Sequence, residues 1–137
     1  MIDTSQIAAI CDPIFSKLKR QWEFDGRFGA ALLVYAAAEE EVVGGVLGAT
    51  LAHSWTSKTL SSAPGGMQTL ANQVGGLDTG QRFCHSDPDA SVVVFATVWP
   101  WGGGAKISLR VGCWGADLSS EDLGMAQAKL KSCFGLS

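Results

Sequence analysis

Ser91-Val92-Val93-Val94-Phe95-Ala96-Thr97-Val98-Trp99, then Pro100-Trp101-Gly102-Gly103-Gly104, then Lys106-Ile107-Ser108-Leu109-Arg110-Val111-Gly112-Cys113-Trp114-Gly115 is the stretch that decides the fold. It reads as a β-hairpin with an outgoing strand over Ala90–Trp99 and a return over Lys106–Gly115. Both alternating sets of the outgoing strand are mostly apolar, so that strand is expected to be covered on both faces. The return strand alternates: Ile107, Leu109, Val111 and Cys113 share one face, and Lys106, Ser108, Arg110 and Trp114 share the other. Pro100 cannot donate to a ladder and the three glycines accept positive φ, so residues 100–104 read as the turn.

Working outward, Asp87-Pro88-Asp89 is turn chemistry leading into the hairpin. Residues 79–85 suit a short strand. Met67, Leu70, Ala71 and Val74 space out a short helix between the breaker at Ser61–Gly66 and the stop at Gly75-Gly76. On the other side, Ser119 is a good N-cap for a last helix, with Glu121 and Asp122 in its first turn. Its stripe is Leu123, Ala126, Leu130, Cys133 and Phe134, and Gly135 fits its C-terminal stop.

The first half is less decided. Residues 4–24 carry a helical stripe through Ile7, Ile10, Cys11, Ile14, Phe15, Leu18 and Trp22, with a joint at Asp12-Pro13 where Asp12 suits an N-cap and Pro13 the first helical position; either one kinked helix or a short turn plus a helix fits. Lys17, Lys19 and Arg20 fall mainly off the stripe, on a solvated face. Between Phe28 and Gly48, Ala, Leu and Glu favour helix, whereas the flanking glycine and the Val/Gly block favour two strands around Glu39-Glu40-Glu41. The expectation is the hairpin, with residues 49–57 as a further strand. Residues 1–137 thus read as one α+β domain: an antiparallel sheet of about five strands with the N- and C-terminal helices packed on it.

Charged residues make up 17% of the 137 residues, against about 25% in an ordinary soluble domain. Few charges are left to cover the exterior, which fits either a buried partner surface, most simply a homodimer, or a Gly/Ala-rich chain with neutral coil on the outside. The net charge of −3 and the absence of a basic run beyond Lys17–Arg20 argue against nucleic acid. No apolar run is long enough to span a bilayer. The first residues show neither a basic nor an apolar leader region, so a cytoplasmic location is expected. In that setting Cys11, Cys84, Cys113 and Cys133 are expected as free thiols, although four cysteines also allow three disulfide pairings.

Chemistry-bearing constellations are few. Gly102–Lys106 lacks phosphate-loop spacing and leads into a strand, so no nucleotide cofactor is expected. Cys84 and His85 are adjacent, and a strand sends their side chains to opposite faces, which is poor for shared metal ligation; no metal is expected. Cys84 with His53 or His85 as base is the weak catalytic candidate, set in a pocket between sheet and helices. Glu39–Glu41 and Asp87/Asp89 read as solvated turns.

The tryptophans are the sharper feature. Trp99, Trp101 and Trp114 gather on the hairpin, with Trp114 two pleats from Arg110, close enough for guanidinium–indole stacking. Exposed aromatics beside arginine are typical interface anchors; coverage of the rings by the domain's own helices is the alternative. The order helix, two or three strands, short helix, two or three strands, helix resembles the roadblock/profilin-like layout and the class I secretion-chaperone layout. That resemblance lies in element order alone and assigns no site residue. It implies a small, non-catalytic domain that works through protein surfaces. The leading expectation is a non-enzymatic interaction or scaffold domain using a sheet edge and Trp99, Trp101, Arg110 and Trp114. The alternative is a small enzyme or ligand-binding domain built on Cys84, His53 and His85.

Overall fold

The computed structural model describes residues 2–136. The elements run α1 (Ser5–Lys17), β1 (Glu23–Asp25), β2 (Ala30–Ala36), α2 (Glu40–Thr50), β3 (His53–Thr56), α3 (Gly65–Gln73), β4 (Arg82–His85), β5 (Val93–Trp101), β6 (Lys106–Trp114) and α4 (Ser120–Cys133). The class is α+β, and the six strands form one antiparallel sheet in the order β1-β2-β6-β5-β4-β3.

The hairpin forms the centre of the sheet. β5 pairs with β6 from Val93↔Trp114 to Trp101↔Lys106, and Val93 to Val98 are buried without interruption. Pro100 and Trp101 stay in the ladder, so the turn starts two residues later than the sequence suggests. It is Gly102, Gly103 and Gly104, at φ of 63°, 69° and 88°, that reverse the chain.

Two sheet faces carry two cores. On the first, α1, α2 and α4 cover Ala31 and Leu33 of β2, Val94, Ala96 and Val98 of β5, and Ile107, Leu109 and Val111 of β6. Phe134 closes one end of it, in contact with Phe15 and Trp22. On the second face, α3 lays Met67, Leu70 and Ala71 over Phe83, Val93 and Phe95. β6 admits the Phe95 ring because Gly112 has no side chain; a Cβ there would stand 2.6 Å from the Phe95 ring.

Four expectations are corrected. The sheet has six strands, not about five. The stretch after β2 is the helix α2, not a second strand: Glu40 and Glu41 occupy its first turn, where the dipole favours carboxylates, and Val43, Val46 and Leu47 bury one stripe. Burial of that stripe outweighs the poor helix propensity of valine and glycine. The first helix ends at Lys17, well short of residue 24; of the two readings of the Asp12-Pro13 joint, the single helix with Pro13 inside it is the one that forms. Leu18 and Trp22 continue its apolar spacing from non-helical chain, Trp22 donating its indole N–H to the Leu18 carbonyl at 2.9 Å, and residues 23–25 are β1. In α4, Ser119 caps as expected, forming a capping box with Asp122, but Leu123 is 38% exposed and stands outside the buried stripe.

Candidate interaction surface

The second sheet face changes character from one side to the other. By register it presents His53 and Trp55 of β3, Phe83 and His85 of β4, Phe95, Thr97, Trp99 and Trp101 of β5, Ser108, Arg110 and Trp114 of β6, and Leu32 and Val34 of β2. The α3 layer covers the first part of that series. Toward β2 no helix among the described residues lies above the strands, and polar and charged side chains take over.

Arg110 is the centre of the transition. Its Nε donates to Asp25 Oδ2 at 2.8 Å, and its guanidinium carbon lies 4.8 Å from the Trp99 ring centre and 5.5 Å from that of Phe28. Phe28 belongs to the β1–β2 turn and meets Trp99 edge to face at 5.8 Å. Burial opposes ionisation of Asp25. The hydrogen bonds from Arg110 and the Arg27 amide, with both guanidinium charges, outweigh it and hold this carboxyl below the usual range. The Trp99 indole N–H and the Thr97 hydroxyl are buried with no hydrogen-bond partner among the described residues.

Beyond Arg110 the face is bare. Trp101 is 49% exposed and Val34 46% exposed, on either side of Ser108, whose Oγ accepts the Trp101 indole N–H at 2.9 Å. β1 pairs only with Ala30–Leu32, so the outer side of Leu33–Ala36 has no ladder partner among the described residues. Lys106 lies at the rim, as does Arg20, which is ion-paired with Glu39.

The four residues expected as one surface therefore occupy three environments. Trp99 and Arg110 stack together within the domain, and Trp101 projects from the end of the hairpin. Trp114, at the opposite end of β6, packs near α3 and donates to Gln73 Oε1 at 3.2 Å. Arg110 stacks on Trp99 and Phe28, not on Trp114, because Trp99 is its diagonal neighbour on β5, two residues from its register partner Thr97, whereas Trp114 lies further along β6. Phe28 and Val34 escaped the sequence reading as surface residues, although the stretch was expected as a strand and its even positions include Val34.

The cysteine–histidine candidates do not converge. Cys84 faces the helix-covered side, with Sγ 3.7 Å from Ser54 Oγ; His53 and His85 face the other. Burial pushes the Cys84 thiol up, against the lowering effect of Ser54 and Arg82. Burial also pushes Cys113 up to about 12 and Cys133 up to about 11. All four cysteines are free. Near Cys84, Tyr35 donates to Glu40 Oε2 at 2.5 Å and Arg82 pairs with the other oxygen of the same carboxylate, which fastens the start of α2 to β2 and β4. Among the described residues, no group of three or more His, Cys, Asp or Glu could hold a metal ion, and no helix is long and apolar enough to cross a membrane.

Two further clefts lie on the surface, besides a third of about 380 Å³ along Asp3, Gln6, Asp87 and Val92. One of about 550 Å³ lies between the N-terminal segment, the β4–β5 loop and the β6–α4 loop, and is lined by Asp3, Asp89, Asp117 and Asp122. The other, of about 210 Å³, lies beside Trp114, Phe28, Phe95 and Leu123. No protein-family model matches this chain, and no curated protein or solved structure shows significant similarity to it.

Proposed function

We propose that this chain is a non-enzymatic interaction domain that pairs with a second copy of itself through the bare end of the second sheet face. The observation that carries this reading is the adjacency of exposed Trp101 and Val34 beside the unladdered stretch Leu33–Ala36. A strand edge next to an apolar face is a ready template for another strand, and an antiparallel edge is self-complementary about a two-fold axis. The rim supports a like partner, since Lys106 and Arg20 lie near Glu39 and could be answered by the same set on the second copy. The low content of charged residues fits a chain that covers part of its exterior by association. A cytoplasmic setting fits the four free cysteines.

Sedimentation equilibrium over a wide concentration range tests the proposal. The wild-type chain is expected at twice its mass of 14.4 kDa. Trp101→Ala and Val34→Lys are expected to keep the far-UV spectrum and thermal midpoint of the fold while weakening association at least about tenfold. A wild-type chain that stays monomeric throughout, or variants that associate as tightly as it does, would overturn the reading.

A further inference from the structure

At the far end of the same face, two histidines and a tryptophan join the edge strand β3 to β4. The His85 side chain is fully buried. Its Nδ1 lies 2.7 Å from the Ser86 carbonyl oxygen, and its Nε2 lies 2.8 Å from the Trp55 indole nitrogen. A carbonyl only accepts and an indole N–H only donates. The two contacts therefore dictate one protonation state: a neutral ring with its proton on Nδ1 and a lone pair on Nε2. The His53 ring stacks on it at 4.9 Å with planes 11° apart.

We propose that His85 is an acid-sensitive latch: a proton taken up from solvent at Nε2 breaks the Trp55–His85 hydrogen bond and releases β3 from the edge of the sheet. The added N–H would face the indole N–H, donor against donor, on a side chain that is fully buried. The titratable group facing the ring is His53, from β3; a charge on it would repel a charged His85. Within β4, Phe83 approaches His85, and Phe95 of β5 is its register partner. Both belong to the apolar cluster of the second face. The turn after β4 contributes the Ser86 carbonyl. The strand being released is short: four residues, paired from His53↔His85 to Thr56↔Arg82, with His53, Ser54 and Thr56 exposed. Its departure would open the edge of β4 and uncover Cys84, now bonded to Ser54.

Burial lowers the His85 pKa, against the opposing bond to Ser86. The sign follows directly. A released β3 leaves His85 free to titrate near its ordinary value of about 6.5, so the closed form is fully favoured above that pH and loses ground as pH falls below it.

Hydrogen exchange followed by NMR on the intact chain tests the latch. After correction for intrinsic rates, protection of the β3 amides in the wild type is expected to fall by about tenfold per pH unit below about pH 6.5, down to the depressed His85 value. Amides of α1 and α4 should hold their protection over that range. His85→Gln offers an amide oxygen to Trp55 without a titrating ring and should show flat β3 protection. A flat wild-type profile, an equal fall in His85→Gln, or loss of α1 and α4 protection in step with β3 would each overturn the proposal. Should His85→Gln fail to fold, the ring nitrogen shifts of wild-type His85 at neutral pH decide: the Nδ1–H tautomer supports the latch and the Nε2–H tautomer overturns it.

Discussion

The two faces of the sheet are closed by different means. Three helices seal the first face, and its side chains from β2, β5 and β6 are aliphatic almost throughout. One short helix and a turn close only part of the second. Where that cover ends, an ion pair, stacked rings and then bare Trp101 and Val34 replace it. The difference shows what a sheet face needs once no helix is available: either side chains that neutralise one another in place, or another surface.

This contrast can be broken by substitution, starting where the effect is greatest. Leu109→Ala removes a fully buried side chain from the sealed face and should cost about 3 kcal/mol, measured by denaturant unfolding. A loss well under 1 kcal/mol would mean that the sealed face is loosely packed. Next comes Arg110→Ala on the second face. It strips Asp25 of its main partner and leaves Trp99 and Phe28 without the guanidinium between them, at a cost of roughly 2 kcal/mol at neutral pH. Asp25 is held below the ordinary carboxylate range, so its stabilisation is full above about pH 3.9 and is lost as pH falls through the depressed value. The penalty of Arg110→Ala should therefore shrink in acid, whereas that of Leu109→Ala should not. The smallest effect has the opposite sign. Thr97→Val replaces a buried hydroxyl that has no partner among the described residues with a methyl of the same shape, and should raise stability by about 1 kcal/mol. A destabilised Thr97→Val would show that the hydroxyl is satisfied after all.

The parts of this fold that were legible in the sequence are those in which local and long-range preferences agree. Val92–Trp99 and Lys106–Trp114 combine strand periodicity with β-branched residues and a glycine turn, and they form the central hairpin. Ser119 and Asp122 mark a helix start that the structure keeps. Where the levels conflict, tertiary burial decided. Val42–Gly48 reads as strand from composition, yet Val43, Val46 and Leu47 find a helical stripe in the core, and Glu40 is fixed by Tyr35 and Arg82, which lie on other strands. Leu18 and Trp22 mimic helix spacing while lying in the non-helical chain beyond α1. The candidate surface was half legible. An exposed tryptophan on the hairpin could be anticipated from Pro100-Trp101-Gly102, but which ring Arg110 would stack on depends on the register of β5 against β6, which no local pattern specifies.

The position of β6 in the sheet also bears on the order in which the protein can assemble as it is synthesised. This penultimate element lies between β2 and β5, with Val111 opposite Ala31 on one side and Ala96 on the other. Until Lys106–Trp114 has left the ribosome, β2 has no ladder partner except the three residues of β1. β2 must therefore wait for a segment made about seventy residues after it. Protection of that waiting strand during translation becomes a requirement imposed by strand order itself.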